Sequence, residues 1–557
     1  MQVRLVPAAS SNLKTRTQEG HMNRRDFLKS SIAGAAAAVG ISAGRAEAAS
    51  SSGVPKKWDY SADVVIVGYG GAGATAAITA FDKGAKVVII EKAPEGMEGG
   101  NTAVNAGIFR CPTDVKEHIT YLKALNGAHH VPDDIVRAMA EGAAKVADWI
   151  KSFGFGVTPT ILNPRCSGAE FPNLPGAEVD KGFNMTRPDG TLGWGKDFWA
   201  LLIKPQVEEK RKIKILYETP GRELILNERR EVIGVLADKG GRPITIKARR
   251  AVILAAGGFE NSEEMQRDYL VPGAGMAGTV PLKTVGTPYN TGDGIKMAMG
   301  AGADLWHMQD MAGPMLHYWP PTTKTSSQVF FQGNSYIITD RRGNRWFDEK
   351  ELWLHGKGGE KLFNYDAAKT EYARIPSYAI FDETVLKAGP LGPTRTSQWT
   401  WVSLKEKLAW SQDNSEEVAR GWILKADSTR DLAAKLNVDG SILEATLASW
   451  SNACAAGKDA LFGRNPATLK PIQGPPYYAM TLMPQVINTL GGPRKNAKTQ
   501  VLRPNGRPLG RLYAAGEAGS MFGFLYQCGS NFGIDCLVFG KIAGMNAAAE
   551  KPWDRSA

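Results

Sequence analysis

Residues 63–92 constrain the fold of this chain more than any other stretch, because they read as strand, tight turn, helix and strand. Residues 63–67 form a largely β-branched run that is typical of a buried parallel strand. Gly68, Gly70 and Gly73 then complete the pattern G-x-G-x-x-G. In that pattern the glycines allow the turn, the approach of a pyrophosphate to the backbone, and close packing of the helix on the strand.

The segments after this turn indicate what it binds. A helix predicted over residues 72–83 points its positive N-terminal end at the phosphate position. A second predicted strand, residues 86–90, is followed by Glu91, eighteen residues beyond Gly73. An acidic side chain there can accept hydrogen bonds from a ribose diol. The alternative is a glycine-rich turn without a ligand, but strand, helix and acid together predict a dinucleotide site.

The N-terminus, residues 1–49, is predicted to stand outside the fold as an extension followed by a twin-arginine signal. Arg24 and Arg25 precede an apolar run at residues 32–43, and residues 46–48 fit a small-x-small cleavage site. The alternative is a membrane anchor, but about a dozen apolar residues fall short of the roughly 20 that span a bilayer, and no later stretch is long enough. The twin-arginine export machinery moves folded proteins, so we expect a periplasmic protein that acquires its cofactor before export.

The net charge of the chain and its distribution indicate which partners to expect. The chain has 557 residues and a formal net charge of +11, and residues 1–48 contribute seven basic and three acidic residues, which leaves +7 after cleavage. This charge could attract an anionic partner or substrate, but its basic residues are scattered, and no motif predicts nucleic-acid binding.

The five cysteines cannot all pair, and none forms C-x-x-C or C-x-x-C-H, so no c-type haem attachment is predicted. We favour buried or free thiols, while a disulfide in the periplasm stays open for any one pair. No cluster of His, Cys or carboxylate residues has metal-ligand spacing, so no metal site is predicted.

Further glycine-rich and apolar segments recur along the chain. Short strands are predicted at residues 214–217, 223–226, 232–237, 245–247, 251–254 and 510–515. The strand at 251–254 runs into Ala255, Ala256 and Gly257, and the last strand ends in Gly516 and Glu517. The turn at 291–294 opens a helix over 295–300, and the turn at 529–533 opens a helix that continues to Ala548.

In this order the segments resemble a flavoprotein family, that of soluble fumarate reductases, urocanate reductases and 3-oxosteroid dehydrogenases, from about residue 61 to 549. The resemblance implies an α/β fold, with a Rossmann-like, glutathione-reductase-like FAD-binding domain at residues 60–304 and 475–550. It also implies an inserted α+β capping domain at residues 305–474, which closes a lid over the flavin.

By this resemblance the cofactor is FAD. Glu91 is expected at the AMP ribose, Asp293 and Glu517 near the ribityl chain, and Ser530 and Asn531 near the flavin ring. The full set of expected FAD-binding residues is Gly68, Gly70, Gly71, Ala72, Gly73, Glu91, Lys92, Gly99, Gly100, Asn101, Thr102, Asn105, Ala106, Gly107, Ala255, Ala256, Gly257, Asp293, Gly516, Glu517, Gly529, Ser530, Asn531 and Ile534.

The catalytic positions depart from the fumarate reductases, which clamp a dicarboxylate with arginine and histidine. Residues 343–349 look like the family's Gly-x-Arg-Phe-x-Asn-Glu turn, but residues 350–355 lack the arginine expected after it. Asn488 stands where that family has the histidine, and Gln527 where it has the clamping arginine. All three departures remove positive charge, which disfavours a C4-dicarboxylate substrate.

The steroid-dehydrogenase branch fits the C-terminal stretch better, because Tyr526 stands where that branch has a tyrosine that polarises the substrate ketone. A phenol with an ordinary pKa near 10 stays protonated and can act as an oxyanion-hole donor. The alternative for Tyr526 is packing against the flavin. Gln527 and Cys528 depart from this branch, in which small residues are usual. The candidates for a second proton-transfer group are Tyr318, His355, Tyr478 and Asn488.

The middle of the chain is rich in large aromatic residues, which indicate either core packing or a pocket for a bulky, flat substrate. The residues are Trp306, Tyr318, Trp319, Trp346, Trp353, Trp399, Trp401 and Trp410. The sequence thus predicts a periplasmic FAD-dependent oxidoreductase that acts on a CH–CH or C=C bond next to a carbonyl. We expect a non-dicarboxylate, ring-containing or steroid-like substrate and an external electron carrier, a periplasmic cytochrome or quinone. The alternatives are a flavin oxidase and a non-catalytic flavin electron carrier.

Overall fold

A mixed α/β architecture is built around a largely parallel sheet. The computed structural model describes residues 54–161, 164–270, 282–313, 315–321, 325–351, 359–394 and 409–554. Within these residues, eight strands form the larger sheet. In spatial order, its main path consists of Gln500–Leu502, Pro508–Ala514, Arg242–Leu254, Tyr60–Val67, Val87–Ile90 and Lys214–Leu216. A hairpin of Gly221–Leu226 and Val232–Lys239 extends from Arg242–Leu254.

The register of the central strand places the carboxyl ends of three neighbouring strands at the same end of the sheet. Tyr60–Val67 pairs in parallel with both neighbours, so that Val67 lies opposite Ile90 on one side and Leu254 on the other. These strands are β-branched and buried on both faces, as central strands of a parallel sheet require. The carboxyl ends of such strands form the crevice in which α/β proteins bind ligands.

The helix Gly71–Asp82 crosses one face of this sheet and packs against the C-terminal helix Phe539–Ala549. A Cβ atom on Gly540 would lie 2.8 Å from the carbonyl oxygen of Ala72, and one on Gly544 would lie 2.3 Å from that of Ala76. The two backbones therefore touch, and only glycine fits on the C-terminal side of the contact.

The continuous helical segment Asn531–Ala549 corrects one sequence prediction. In the described part of the chain it is long and apolar enough to cross a membrane by length and composition. The prediction that no stretch after the signal has this length is therefore wrong. Of this segment's apolar window, 67% is buried inside the protein, which is the behaviour of a core helix.

A second sheet lies in the middle of the chain. Its strands in the described residues are Lys283–Thr284, Met315–His317, Tyr336–Thr339, Ser377–Phe381, Leu424–Ala426 and Tyr477–Val486. The long strand Tyr477–Val486 pairs with four of them and holds the sheet together. Helices Thr429–Leu436 and Gly440–Ala455 cover one face through Leu432, Leu443 and Trp450.

Smaller sheets and helices make up the rest of the described residues. A three-stranded sheet consists of Phe109–Arg110, Gly182–Thr186 and Gly156–Pro159, and two-stranded ones pair Leu305–Trp306 with Gly492–Pro493, Met311–Ala312 with Asn488–Thr489, and Tyr365–Asp366 with Glu371–Tyr372. The remaining helices of the described residues are Gly100–Ala103, Val115–Asn126, Asp133–Ala143, Val146–Lys151, Pro164–Ser167, Ala177–Val179, Gly195–Asp197, Phe198–Ile203, Gln206–Lys210, Glu263–Met265, Gln266–Leu270, Asp293–Gly300, Glu349–Glu351, Gly359–Leu362, Glu383–Lys387, Ser415–Ala419 and Pro466–Thr468.

The strands predicted at residues 245–247 and 251–254 are one continuous strand, Arg242–Leu254. The sequence suggested a break because Arg249 and Arg250 interrupt the apolar pattern. Both arginines are partly exposed at the sheet's end and face Asp63 Oδ1, at 3.5 Å from Arg249 Nη1 and 3.6 Å from Arg250 Nε. The strand therefore continues through Arg249 and Arg250, whose charges are paired with that of Asp63.

Candidate functional site

The turn after the first strand is shaped by glycines that no other residue could replace without movement. Gly68 has a φ of +104°, and a Cβ there would lie 2.4 Å from the carbonyl oxygen of Ala255. A Cβ on Gly73 would lie 2.1 Å from the carbonyl oxygen of Gly68. Beside Gly70, in contrast, the nearest atom to such a Cβ is Gly99 O at 3.6 Å. The turn is thus tightly packed at Gly68 and Gly73 and leaves open space beside Gly70.

The helix Gly71–Asp82 starts at this open side, and no side chain of its N-cap residue Gly70 caps it. Thr102 Oγ1 accepts a hydrogen bond of 3.1 Å from Gly71 N. The following N–H groups of the first turn have no helical acceptor and carry the positive end of the helix dipole. This arrangement suits a phosphate group.

Glu91 lies at the end of the adjacent strand with its carboxylate oriented by the backbone. Its Oε2 accepts from Tyr69 N at 2.7 Å, and its Oε1 accepts from Ala93 N at 2.7 Å. Burial raises the pKa of Glu91, while these N–H groups act in the opposite direction. Each carboxylate oxygen keeps a further lone pair with which it can accept a ribose hydroxyl.

These groups line one cleft of about 770 Å³ that is partly open to solvent. The expected FAD-binding residues in its wall are Gly68, Gly70, Gly71, Ala72, Glu91, Lys92, Gly100, Asn101, Thr102, Ala255, Ala256, Gly257, Asp293, Gly516 and Glu517. Lys92 Nζ contacts Asp293 Oδ2 at 2.6 Å, which fixes both side chains at the rim. The cleft therefore brings the glycine turn together with residues near 91–102, 255–257, 293 and 516–517, which are far apart in the sequence.

Other expected FAD-binding residues lie outside this wall. Those residues are Gly73, Gly99, Asn105, Ala106, Gly107, Gly529, Ser530, Asn531 and Ile534. Asn105 Oδ1 accepts from Gly107 N at 2.7 Å, and Asn531 Nδ2 donates to Asp535 Oδ2 at 2.9 Å. Ile534 is fully buried in an apolar cluster. For these residues the contacts are internal, and their part in cofactor binding stays a prediction.

A buried carboxyl pair beside Asn101 consists of Glu517, which the sequence predicted, and Glu260, which sequence reasoning missed. Asn101 Nδ2 donates to Glu260 Oε1 at 2.9 Å and to Glu517 Oε1 at 3.1 Å. Asn290 Nδ2 donates to the same two carboxyl groups, at 2.7 Å and 3.1 Å. The available signal for these two missed residues was their position: Asn290 directly precedes the turn at 291–294, and Glu260 lies three residues after Gly257.

Burial raises the pKa of both Glu260 and Glu517, and the charge of Glu260 raises that of Glu517 further. Burial and the repulsion between the two carboxyl groups therefore both favour a proton shared by the pair, next to Asn101.

Tyr526 lies in the segment between Glu517 and the helix that begins at Asn531, with 8% of its surface exposed. It packs against Leu490 and Ala312. Burial raises the pKa of Tyr526 well above its usual 10, so the phenol keeps its proton at any physiological pH. Tyr526 is not in the wall of the cleft described above.

The remaining catalytic candidates occupy different surroundings. Gln527 Oε1 accepts from Tyr121 Oη at 2.6 Å and from Glu170 N at 2.8 Å, so this amide oxygen is used inside the protein. Asn488 is buried on the short strand that pairs with Met311–Ala312, next to the Tyr526 cluster.

Tyr318 packs in the aromatic core of the second sheet, 5.3 Å from the ring of Trp422 and 6.3 Å from that of Trp410. Tyr478 is buried in the same core. His355, with Trp353, Trp399 and Trp401, lies outside the described residues. Most aromatic residues of this region that the structure describes therefore serve core packing.

The turn at residues 343–349 is locked by charges. Arg345 Nε contacts Glu349 Oε1 at 2.7 Å, and Arg345 Nη2 contacts Asp459 Oδ2 at 3.0 Å. Arg464 Nη1 contacts Glu349 Oε2 at 3.1 Å, and Arg464 and Glu349 are fully buried. Arg345 is thus neutralised within the protein and is not directed at a ligand.

The fold and the cleft define a dinucleotide-binding α/β protein. The family model for an FAD binding domain matches residues 63–532, and a twin-arginine translocation signal matches residues 21–40. The chain therefore belongs to this FAD-binding domain family. It is an FAD-dependent oxidoreductase that carries a signal for export to the periplasm.

The relatives of this chain are named as reductases, an oxidoreductase and dehydrogenases. The chain is 30% identical to an NADH:fumarate oxidoreductase of Klebsiella pneumoniae over 90% of its own length, but spans only 49% of that protein. It is 27% identical to the digoxin reductase of Eggerthella lenta, with 97% of this chain and 99% of that one aligned. Its fold is similar to that of the 3-ketosteroid delta1-dehydrogenase of Sterolibacterium denitrificans, with a TM-score of 0.72, 23% identity, and coverage of 88% and 99%.

Proposed function

We propose that this protein exchanges a pair of hydrogens across a C–C bond next to a carbonyl, in an uncharged or monoanionic, ring-containing substrate. The observation that carries the proposal is the buried, protonated phenol of Tyr526, on the segment that joins the cleft residue Glu517 to the helix starting at Asn531. FAD, when bound in the cleft, supplies the two-electron chemistry at its N5 position.

The role proposed for Tyr526 is that of an electrophile. Its hydroxyl donates a hydrogen bond to the substrate carbonyl oxygen and stabilises the negative charge that develops there as the adjacent C–C bond changes order. The raised pKa suits this role, because the proton is needed as a donor and not as a leaving group. The candidates for the second proton transfer stay Tyr318, His355, Tyr478 and Asn488.

The charge of the surroundings supports a substrate that is not a dicarboxylate. Arg345 is neutralised by Glu349 and Asp459. The amide oxygen of Gln527 accepts hydrogen bonds from Tyr121 and Glu170 within the protein. A bidentate carboxylate clamp requires an unpaired guanidinium, which neither position provides. The full-length likeness to a digoxin reductase supports a bulky, polycyclic substrate class.

The proposal includes an architecture in two parts. Residues 60–304 and 475–550 form a glutathione-reductase-like FAD-binding domain, and residues 305–474 form a cap over the flavin. The second sheet and its separate apolar core support this division, since four of its six strands fall within residues 305–474, while Lys283–Thr284 and Tyr477–Val486 extend the sheet beyond these bounds. Electrons reach the protein from a separate periplasmic carrier, a cytochrome or a quinone.

The test uses the holoprotein under anaerobic conditions, with the flavin reduced by light. Enones, cinnamates, steroids and digoxin are added separately, and the return of flavin absorbance is followed. We expect reoxidation by at least one carbonyl-conjugated ring compound and none by fumarate. Reoxidation by air alone with peroxide formation would identify an oxidase, and indifference to every compound would identify an electron carrier.

The Tyr526→Phe variant tests the assigned residue. We expect turnover to fall by about a hundredfold or more, which corresponds to the loss of one oxyanion-hole donor, with the flavin content unchanged. Tyr513→Phe is the matched control, because that phenol donates to Glu550 Oε1 at 2.8 Å and is not in the wall of the cleft. Equal turnover in the two variants would remove Tyr526 from the mechanism.

A further inference from the structure

Two cysteines separated by 362 residues in the sequence contact each other, and one of them, Cys528, lies two residues after Tyr526. The Sγ atoms of Cys166 and Cys528 lie 3.0 Å apart. Both side chains are buried, with 8% and 9% of their surface exposed. They share a small apolar cluster with Ile108. No other pair of the five cysteines is brought together within the described residues.

The backbone on each side of this contact is fixed independently of the sulfurs. Arg110 Nη1 donates to the carbonyl oxygen of Cys166 at 2.7 Å, and this guanidinium is itself held by Asp180. Cys528 N donates to Glu170 Oε2 at 3.0 Å. The two thiols are therefore held face to face by the folded protein, and closing the gap to a disulfide length of about 2.05 Å takes only a shift of about 1 Å.

We propose that Cys166 and Cys528 form a disulfide after export and that this bond fixes the Tyr526 segment to the segment at residues 166–170. The cytoplasm keeps thiols reduced, whereas the periplasm is oxidising. The twin-arginine route delivers the protein with this geometry already formed. The bond is a covalent latch that is absent during cofactor insertion and present in the exported protein.

The chemistry is thiol–disulfide exchange with a disulfide-bearing oxidant of the periplasm. The thiolate of one cysteine attacks the oxidant's disulfide, and a mixed disulfide forms as one thiolate leaves. The second cysteine then attacks this mixed disulfide, which closes the internal bond and releases the second thiolate. Two protons leave the protein, two electrons pass to the oxidant, and the oxidant ends as two thiols.

The experiment compares exported protein with protein retained in the cytoplasm. Free thiols are blocked with N-ethylmaleimide at harvest, and chymotrypsin cleaves the unreduced protein. Cleavage after Phe532 separates Cys528 from Cys536, so that mass spectrometry reads the two cysteines independently. The retained form is the Arg24→Lys, Arg25→Lys double variant, which lacks the twin-arginine signal but has the same mature sequence.

We expect a Cys166–Cys528 cross-linked peptide, lighter by two hydrogens than its parts, from the exported protein only. Cys454→Ser is the matched control that keeps the cross-link, and Cys166→Ser is the variant that removes it. A reductant should lower the melting temperature of the wild type and of Cys454→Ser, but not that of Cys166→Ser.

Alkylation of both Cys166 and Cys528 in the exported wild type would overturn the proposal. A cross-link of equal amount in the retained double variant would overturn its dependence on export. Both readouts are masses from the wild-type mature sequence, so a failure here is independent of whether the proposed reaction is correct.

Discussion

Replacing Gly73 by alanine is the sharpest test of the cofactor cleft, because the obstacle is backbone. The added Cβ would lie 2.1 Å from the carbonyl oxygen of Gly68 and 3.3 Å from the Cγ2 atom of Ile66. Relief of the first contact requires the start of the helix Gly71–Asp82 to move away from the turn by about 1 Å. That movement displaces the N–H groups at the helix start that we expect to bind the pyrophosphate.

Two costs follow from this displacement. The strained packing should lower the free energy of unfolding by about 1–3 kcal/mol, the usual range for overpacking. Loss of one hydrogen bond to a charged phosphate should weaken FAD binding by about 1.5–3 kcal/mol. Since about 1.4 kcal/mol corresponds to a factor of ten, the Kd for FAD should rise by about tenfold to about a hundredfold.

The assay titrates apoprotein with FAD and follows the quenching of flavin fluorescence, with chemical denaturation of the apoprotein as the second measurement. Gly300→Ala is the matched control, because it also adds a methyl group to a helix, and nothing lies within 4 Å of its Cβ. We expect that control to bind FAD as the wild type does. An unchanged Kd in Gly73→Ala would refute the assignment of this turn to the pyrophosphate.

Two further predictions concern buried charges. Asp180→Asn leaves the guanidinium of Arg110 buried without its counter-ion, which lies at 2.6 Å in the wild type. The free energy of unfolding, measured in urea titrations, should therefore fall by about 3–5 kcal/mol. The control, Asp189→Asn at an exposed position, should change it by less than about 0.5 kcal/mol. Because Glu517 has a raised pKa in the folded state, the folded protein binds this proton more tightly than the unfolded chain. Stability should therefore fall as pH rises above the usual 4.5 of a glutamate. Glu260→Gln removes one of the two interacting charges and should flatten this decline in thermal melts between pH 5 and about 8; an unchanged slope would contradict the shared proton.

The sequence was sufficient to predict the glycine turn and Glu91 of the cleft. It was insufficient to predict the contacts of Glu260 and Asn290 with Glu517. The turn and Glu91 lie within thirty residues, so local periodicity predicts their neighbourhood. Glu260 and Asn290 meet Glu517 across more than 200 residues. No local pattern encodes that encounter, because it depends on the parallel register of Arg242–Leu254 with Tyr60–Val67 and Pro508–Ala514.

The same reasoning explains two other differences. The sequence left open whether any pair of cysteines meets, since cysteine count and spacing carry no information on contacts of this range. It also identified Gln527 only by its position, where the family has a clamping arginine, because position in a motif does not reveal that Tyr121 and Glu170 bind its amide oxygen. Resemblance transfers residue identity more reliably than side-chain orientation.

The backbone contact between the first helix and the last has a consequence for the biogenesis of this protein. Gly540 rests on Ala72, and the wall of the cleft includes Gly516 and Glu517 from the same end of the chain. A nascent polypeptide still attached to the ribosome lacks these parts, although the glycine turn has long emerged. The cofactor can therefore be retained only after translation has finished, and truncated products would reach the export channel colourless.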